Sequence, residues 1–169
     1  MSTLRSAARA ASSAGGQLLR AATWIVAARP EAIFGLAIRV PTDDHRHGDL
    51  LFASTGLGRL TRFTLTVARS PYTRPLTTLL PYRTPAGATL LSAVFRDETT
   101  VALAWAVRWG AWHPFAELTL HTDPVDEPDS AISFDPVMNV LPGLDTDDWI
   151  RRLREPAYAT ARRSRGVTR

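Results

Sequence analysis

The sequence predicts an α+β fold: an antiparallel, barrel-like β-sheet with a helix before it and helices after it. Three observations predict it. Residues 33–122 break into short apolar runs, several with strict alternation, divided by turn signals. Residues 17–29 instead place Leu18, Leu19, Ala22, Ile25 and Val26 on one side of a helix that Pro30 ends. Beyond an acidic, Pro-containing loop, "DPVDEPDS", Asp145 stands where it can cap a helix whose first turn carries Asp147 and Asp148. Strands run together and helices lie apart from them, which is the order of an α+β chain.

Each element follows in turn. Residues 1–30 form an Ala/Arg-rich helical segment and residues 31–169 a single barrel domain. "IFGLAIRV" (residues 33–40) and "DLLFAST" (49–55) read as a hairpin about a polar tip at residues 43–48, and "LTRFTLTV" (60–67) as a third strand. "TTLLPYRTPAGATLLSAVF" gives two strands around "TPAG", and "TTVALAWAVRWGAWHPFAELTLHT" two more around "GAWHP". A helix is expected from Asp145 to Arg154. Pro156 breaks it and begins a second turn or helix.

The chain has 169 residues, enough for one domain with a core, and no apolar run approaches the length of a spanning helix. It has no cysteine, which excludes disulfides, thiolate metal sites and a cysteine nucleophile. The net charge is +4, and every basic residue is arginine. With so much alanine beside it, this arginine content reflects GC-rich coding more than nucleic-acid binding. No aromatic-basic interleaving of the single-strand-binding kind is present, so nucleic acid and membrane are not expected partners. The acid-free first thirty residues have a transit-peptide composition, but the whole chain shares that bias, and the cytoplasm is the expected location.

Several residue groups could carry chemistry. "DDHRHGD" gathers Asp43, Asp44, His45, His47 and Asp49, a set that could hold a divalent metal for phosphodiester hydrolysis; as a hairpin tip it lacks rigid, supported ligands. His113 and His121 stand alone. Trp105, Trp109 and Trp112 fit packing or ligand stacking. No nucleophile elbow or glycine-rich phosphate loop occurs. Near the C-terminus, "RLREPAYATARRSR" places Arg154, Tyr158 and Arg165 on one face if helical. A phenol between guanidiniums is either a solvated basic surface or a phenolate held beside an anion.

"ISFDPVMNVLPGLDTDDWIRRLREPAYATARRSRG" (residues 132–166) resembles the segment that carries the haem-ligating tyrosine in catalases and the small catalase-related haem peroxidases. Phe134, Asp135 and Pro136, then Leu141 and Pro142, then Arg154 and Tyr158, then Arg163 and Arg165 follow the family's order. "GLAIRV" with "GDLLFAST", and "LPYRTPAG", look like further strands of that family. The resemblance implies a catalase-type barrel that binds haem. By it, Tyr158 would be the axial ligand of the haem iron, Arg154 the arginine that hydrogen-bonds that ligand, and Arg165 a propionate partner. The family's distal histidine has no counterpart before His45, its distal asparagine falls on Ala53, and its first barrel strands are not visible. The expectation is therefore a truncated or degenerate member with weak or absent peroxide activity, one haem face being open or covered by a second copy in a homo-oligomer. The alternative is a haem-less barrel that binds a small apolar ligand or a partner; the metal-dependent hydrolase on "DDHRHGD" is a further one.

Overall fold

A computed structural model describes residues 2–12, 18–27, 31–42, 46–121, 134–150 and 152, with only the backbone described for residues 2–12, 18–27 and 121. Among the described residues, nine strands make one antiparallel sheet that curls into a barrel-like shape. They are β1 (Ser2–Ser12), β2 (Leu18–Ala27), β3 (Ala32–Pro41), β4 (His47–Ser54), β5 (Leu76–Thr77), β6 (Tyr82–Thr84), β7 (Gly87–Phe95), β8 (Thr100–Val107) and β9 (His113–His121). The sheet order is β5-β4-β3-β2-β1-β9-β8-β7-β6. β5 also pairs with β7, through Leu76↔Ala93 and Thr77↔Ser92, while its other edge takes β4. Two residues thus join the two ends of the curled sheet.

The apolar runs that predicted the hairpins of residues 33–54, 82–95 and 100–121 supply the core. Leu36 and Ile38 of β3, Leu50 and Phe52 of β4, Leu91 and Ala93 of β7, Val101 and Leu103 of β8, and Leu118 of β9 meet on the inner face. The turn of the second hairpin needs its glycine: Gly87 has φ +113°, a backbone that L side chains rarely adopt.

Three expectations are corrected. The helix predicted over residues 17–29 is strand β2. It pairs antiparallel with β3 from Arg20↔Arg39 to Ala27↔Ala32, and with β1 on its other edge. Alanine's helix preference is a few tenths of a kcal/mol per residue against most alternatives, which a ladder on both edges overrides. Secondly, residues 60–67 are not a strand. A 3-10 turn, Thr61–Phe63, interrupts them, fixed by the Thr61 hydroxyl, which accepts from Gly58 N–H at 3.0 Å, and by burial of Arg62. Thirdly, Asp145 does not cap a helix. It sits in an isolated antiparallel bridge with Arg83, and helical backbone begins only at Asp148. Residues 148–150 and 152 are helical; the rest of the expected C-terminal helices lies outside the described residues.

Candidate functional site

The inner face of the sheet does not fill completely. A cavity of about 520 Å³ remains, within the usual range for small-molecule pockets. β3 gives it Ile38 and Val40, β4 gives Leu50, and β7 and β8 give Leu91, Leu103 and Trp105. Phe115, Ala116 and Leu118 come from β9. Leu103 pairs with Ala116 and Ala104 with Pro114, so Phe115 is the extra residue of a β-bulge. The bulge re-aims the strand and leaves Phe115 half-exposed while it lines the cavity. Among the described residues, the wall holds no charged side chain, and its polar side chains are Thr84, Thr89 and the indole of Trp105.

Residues 134–145 form a strap that completes the wall with Leu141 and Leu144. The strap is fastened twice. At its start, the buried Asp49 carboxylate receives Arg39 through a two-pronged pair, Nε to Oδ1 at 2.7 Å and a terminal nitrogen to Oδ2 at 2.8 Å. Its Oδ2 also accepts the Asp135 N–H at 2.8 Å and the Asn139 amide at 2.7 Å. Burial alone would raise the Asp49 pKa, but Arg39, the Asp135 N–H and Asn139 together hold it below its ordinary value. The Arg39 guanidinium lies over the Phe134 ring at 5.1 Å. At its end, Arg83 and Asp145 exchange two backbone hydrogen bonds, 2.6 and 3.0 Å. Between the two fastenings Leu141 crosses Gly48 so closely that a Cβ there would stand 2.3 Å from Leu141 Cγ. Gly48 is thus a buried strand residue, not part of an exposed tip.

A second fixture holds the loop before β5 to the β8–β9 turn. The buried Arg62 guanidinium donates to the carbonyls of Gly58, Arg108, Gly110 and Leu57 at 3.1–3.3 Å and stacks on Trp112 at 4.6 Å. Trp112 in turn donates its indole N–H to the Leu57 carbonyl at 2.9 Å. Burial, and then neighbouring Arg59, lower the Arg62 pKa from its ordinary value. The three tryptophans singled out in the sequence therefore divide. Trp112 serves this fixture, Trp109 packs edge-on against Phe63 at 5.0 Å, and Trp105 lines the cavity while stacked on His113 at 4.6 Å.

Of the other predicted site residues, Tyr158, Arg154 and Arg165 lie outside the described residues, as do Asp43, Asp44 and His45. His47 opens β4, opposite Pro41. Asp49 is spent on Arg39 and the strap, and among the described residues no group of three metal-ligating side chains occurs. The Arg83 side chain makes an exposed ion pair, 3.8 Å to Asp147. The cavity itself was not read from the sequence. Its signal was present in the inward residues 38, 50, 91, 103, 116 and 118, none of them aromatic, facing each other across a curled sheet. In comparisons with protein-family models, curated proteins and solved structures, the chain matches none of them.

Proposed function

We propose that the chain is a binding module whose barrel interior takes one small apolar molecule. The observation that carries this reading is the cavity: about 520 Å³, walled by aliphatic and aromatic side chains and free of charge among the described residues. Transfer of apolar surface into such a space yields roughly 25 cal/mol per Å² buried, or about 0.8 kcal/mol per methylene. The described wall offers no acid or base, and its two hydroxyls, on Thr84 and Thr89, hydrogen-bond within their own turn, so binding is the chemistry that the wall favours. Catalase-type haem binding makes a different demand. The described wall has no histidine, tyrosine or cysteine to ligate iron and no cation for a propionate, and the residues that the sequence resemblance nominates for this, Tyr158, Arg154 and Arg165, lie outside the described residues.

The test is a titration with the neutral fluorescent probe N-phenyl-1-naphthylamine against the full chain and Ala116→Leu. Ala116 lines the cavity and is only partly buried, so leucine extends into empty space. The variant is expected to fold with equal or slightly higher stability, since added methylenes fill a void, and to bind the probe at least about tenfold more weakly. Unchanged probe affinity in Ala116→Leu would remove the cavity as the site. A parallel haem titration separates the two readings: a saturable Soret shift that Tyr158→Phe abolishes would assign the interior to haem instead.

A further inference from the structure

Thr84 and Thr89 interrupt an otherwise apolar wall, and their hydroxyls are arranged in a way that selects the ligand's polar group. The two oxygens are 3.0 Å apart. Each lies in range of the Gly87 carbonyl, Thr84 at 3.0 Å and Thr89 at 3.1 Å. Thr84 Oγ1 also accepts the Ala86 N–H at 3.2 Å. A threonine hydroxyl has one hydrogen and two lone pairs. Both hydrogens already have acceptors within the turn, either the Gly87 carbonyl or the other hydroxyl. What the pair has left over is lone pairs, and these call for a donor.

Four classes of polar group can then be compared. A carboxylate is acceptor-only and charged; it would set lone pairs against lone pairs and leave a charge against an uncharged wall. An ester or ketone is neutral but also acceptor-only, so it must pull a threonine hydrogen away from Gly87. An aliphatic amine is a donor but is protonated at neutral pH and carries its charge into the same wall. A hydroxyl donates without charge. We propose that the cavity's ligand is an apolar alcohol, its hydroxyl giving its hydrogen to the Thr84–Thr89 pair and its hydrocarbon body lying against Leu91, Leu103 and Trp105. This rests on the reading of the cavity as a binding site.

The experiment displaces bound N-phenyl-1-naphthylamine from the full chain at neutral pH with 1-nonanol, methyl octanoate and nonanoate, which match in hydrocarbon size. One net hydrogen bond corresponds to a preference of roughly three- to tenfold. The expected order is nonanol best, the ester that factor weaker and nonanoate weakest. In a Thr84→Val/Thr89→Val double variant the preference for nonanol over the ester should vanish, and in Thr84→Ser/Thr89→Ser it should persist. An ester or carboxylate equal to nonanol on the native chain, or a preference that survives the double valine change, overturns the proposal. If the double valine variant does not fold, the order on the native chain and on the serine variant decides. Probe binding that none of the three displaces, and that Ala116→Leu leaves unchanged, would instead bring down the binding reading itself.

Discussion

Asp49 has no water-exposed side-chain surface, and its charge is held by a two-pronged arginine, one backbone N–H and one side-chain amide. Removing the charge while keeping the shape, as in Asp49→Asn, leaves Arg39 facing a neutral partner and sets an amide nitrogen where the strap donates. Breaking a buried pair in this way costs about 3 kcal/mol, the low end of the usual range, because the Arg39 side chain keeps 19% exposure. Urea denaturation of the two chains measures it. The pH dependence has a definite sign. The folded carboxyl titrates below its ordinary value of 3.8, so the unfolded chain binds more protons in the window beneath that value. The contribution of Asp49 is therefore full above about pH 4, and it is lost as the pH falls through the depressed folded value. The stability gap between native and Asp49→Asn should narrow in acid and stay flat toward neutrality; a gap that widens in acid would contradict the assignment. None of this was visible in the sequence, where Asp49 reads as the last acid of "DDHRHGD" and the first residue of the strand "DLLFAST". Its partners Asp135 and Asn139 stand 86 and 90 residues away, and sequence spacing carries no information at that range.

At the scale of elements, the strap of residues 134–145 is placed by a missing side chain as much as by bonds. Gly48 stands on β4 where Leu141 crosses, and even the Leu141 Cα would lie 3.0 Å from an added Cβ. Gly48→Ala therefore cannot be absorbed by one rotamer change, and the strap itself must move. Such overpacking usually costs about 1–3 kcal/mol. Because Leu141 lines the cavity, the same change should weaken binding of the naphthylamine probe by several-fold. Loss of stability with unchanged probe affinity would show that the strap is not part of the working wall. The elements that the sequence revealed and those that it hid differ in one physical respect. Strand β9 alternates apolar and polar residues and β8 alternates large with small ones, while β3, β4 and β7 are short apolar runs bounded by turn residues; all of these are local signals. Residues 18–27 are rich in alanine and carry no such signal; pairing with β3 on one edge and β1 on the other makes them a strand. "LTRFTLTV" alternates well and is still not a strand, because Arg62 is drawn under two carbonyls of the distant β8–β9 turn and the nearby carbonyls of Leu57 and Gly58.

For the whole molecule, the decisive question is how so curved a sheet stays joined when its closing strand is two residues long. Leu76 and Thr77 pair with Ser54 and Ala53 on one side and with Ala93 and Ser92 on the other. Ladders of two residue pairs are too short to hold an edge by themselves, so the junction must be reinforced by side chains. Leu76 is fully buried in the inner core. Thr77 faces the other way, and its hydroxyl is the centre of a small network: it donates to the Arg62 carbonyl at 2.8 Å and accepts from the Thr55 hydroxyl at 3.0 Å and the Leu79 N–H at 3.2 Å. The accepted Leu79 N–H belongs to a residue at φ 61°, a left-handed backbone that is uncommon outside glycine and is sustained by its surroundings. Thr77→Val preserves volume and strand preference but leaves one carbonyl, one hydroxyl and one N–H without this partner. The expected loss is about 2–3 kcal/mol, the sum of a buried polar group left unsatisfied and a neighbour that re-pairs only partly. The loss should be localised. Amide hydrogen exchange at Thr78, whose N–H donates to the Leu91 carbonyl across the β5–β7 junction, should quicken far more than exchange at the β3–β4 pairing of Leu36 with Phe52. If both sites quicken together by the same factor, the junction is not a separate unit, and closure is a property of the sheet's curvature and not of Thr77.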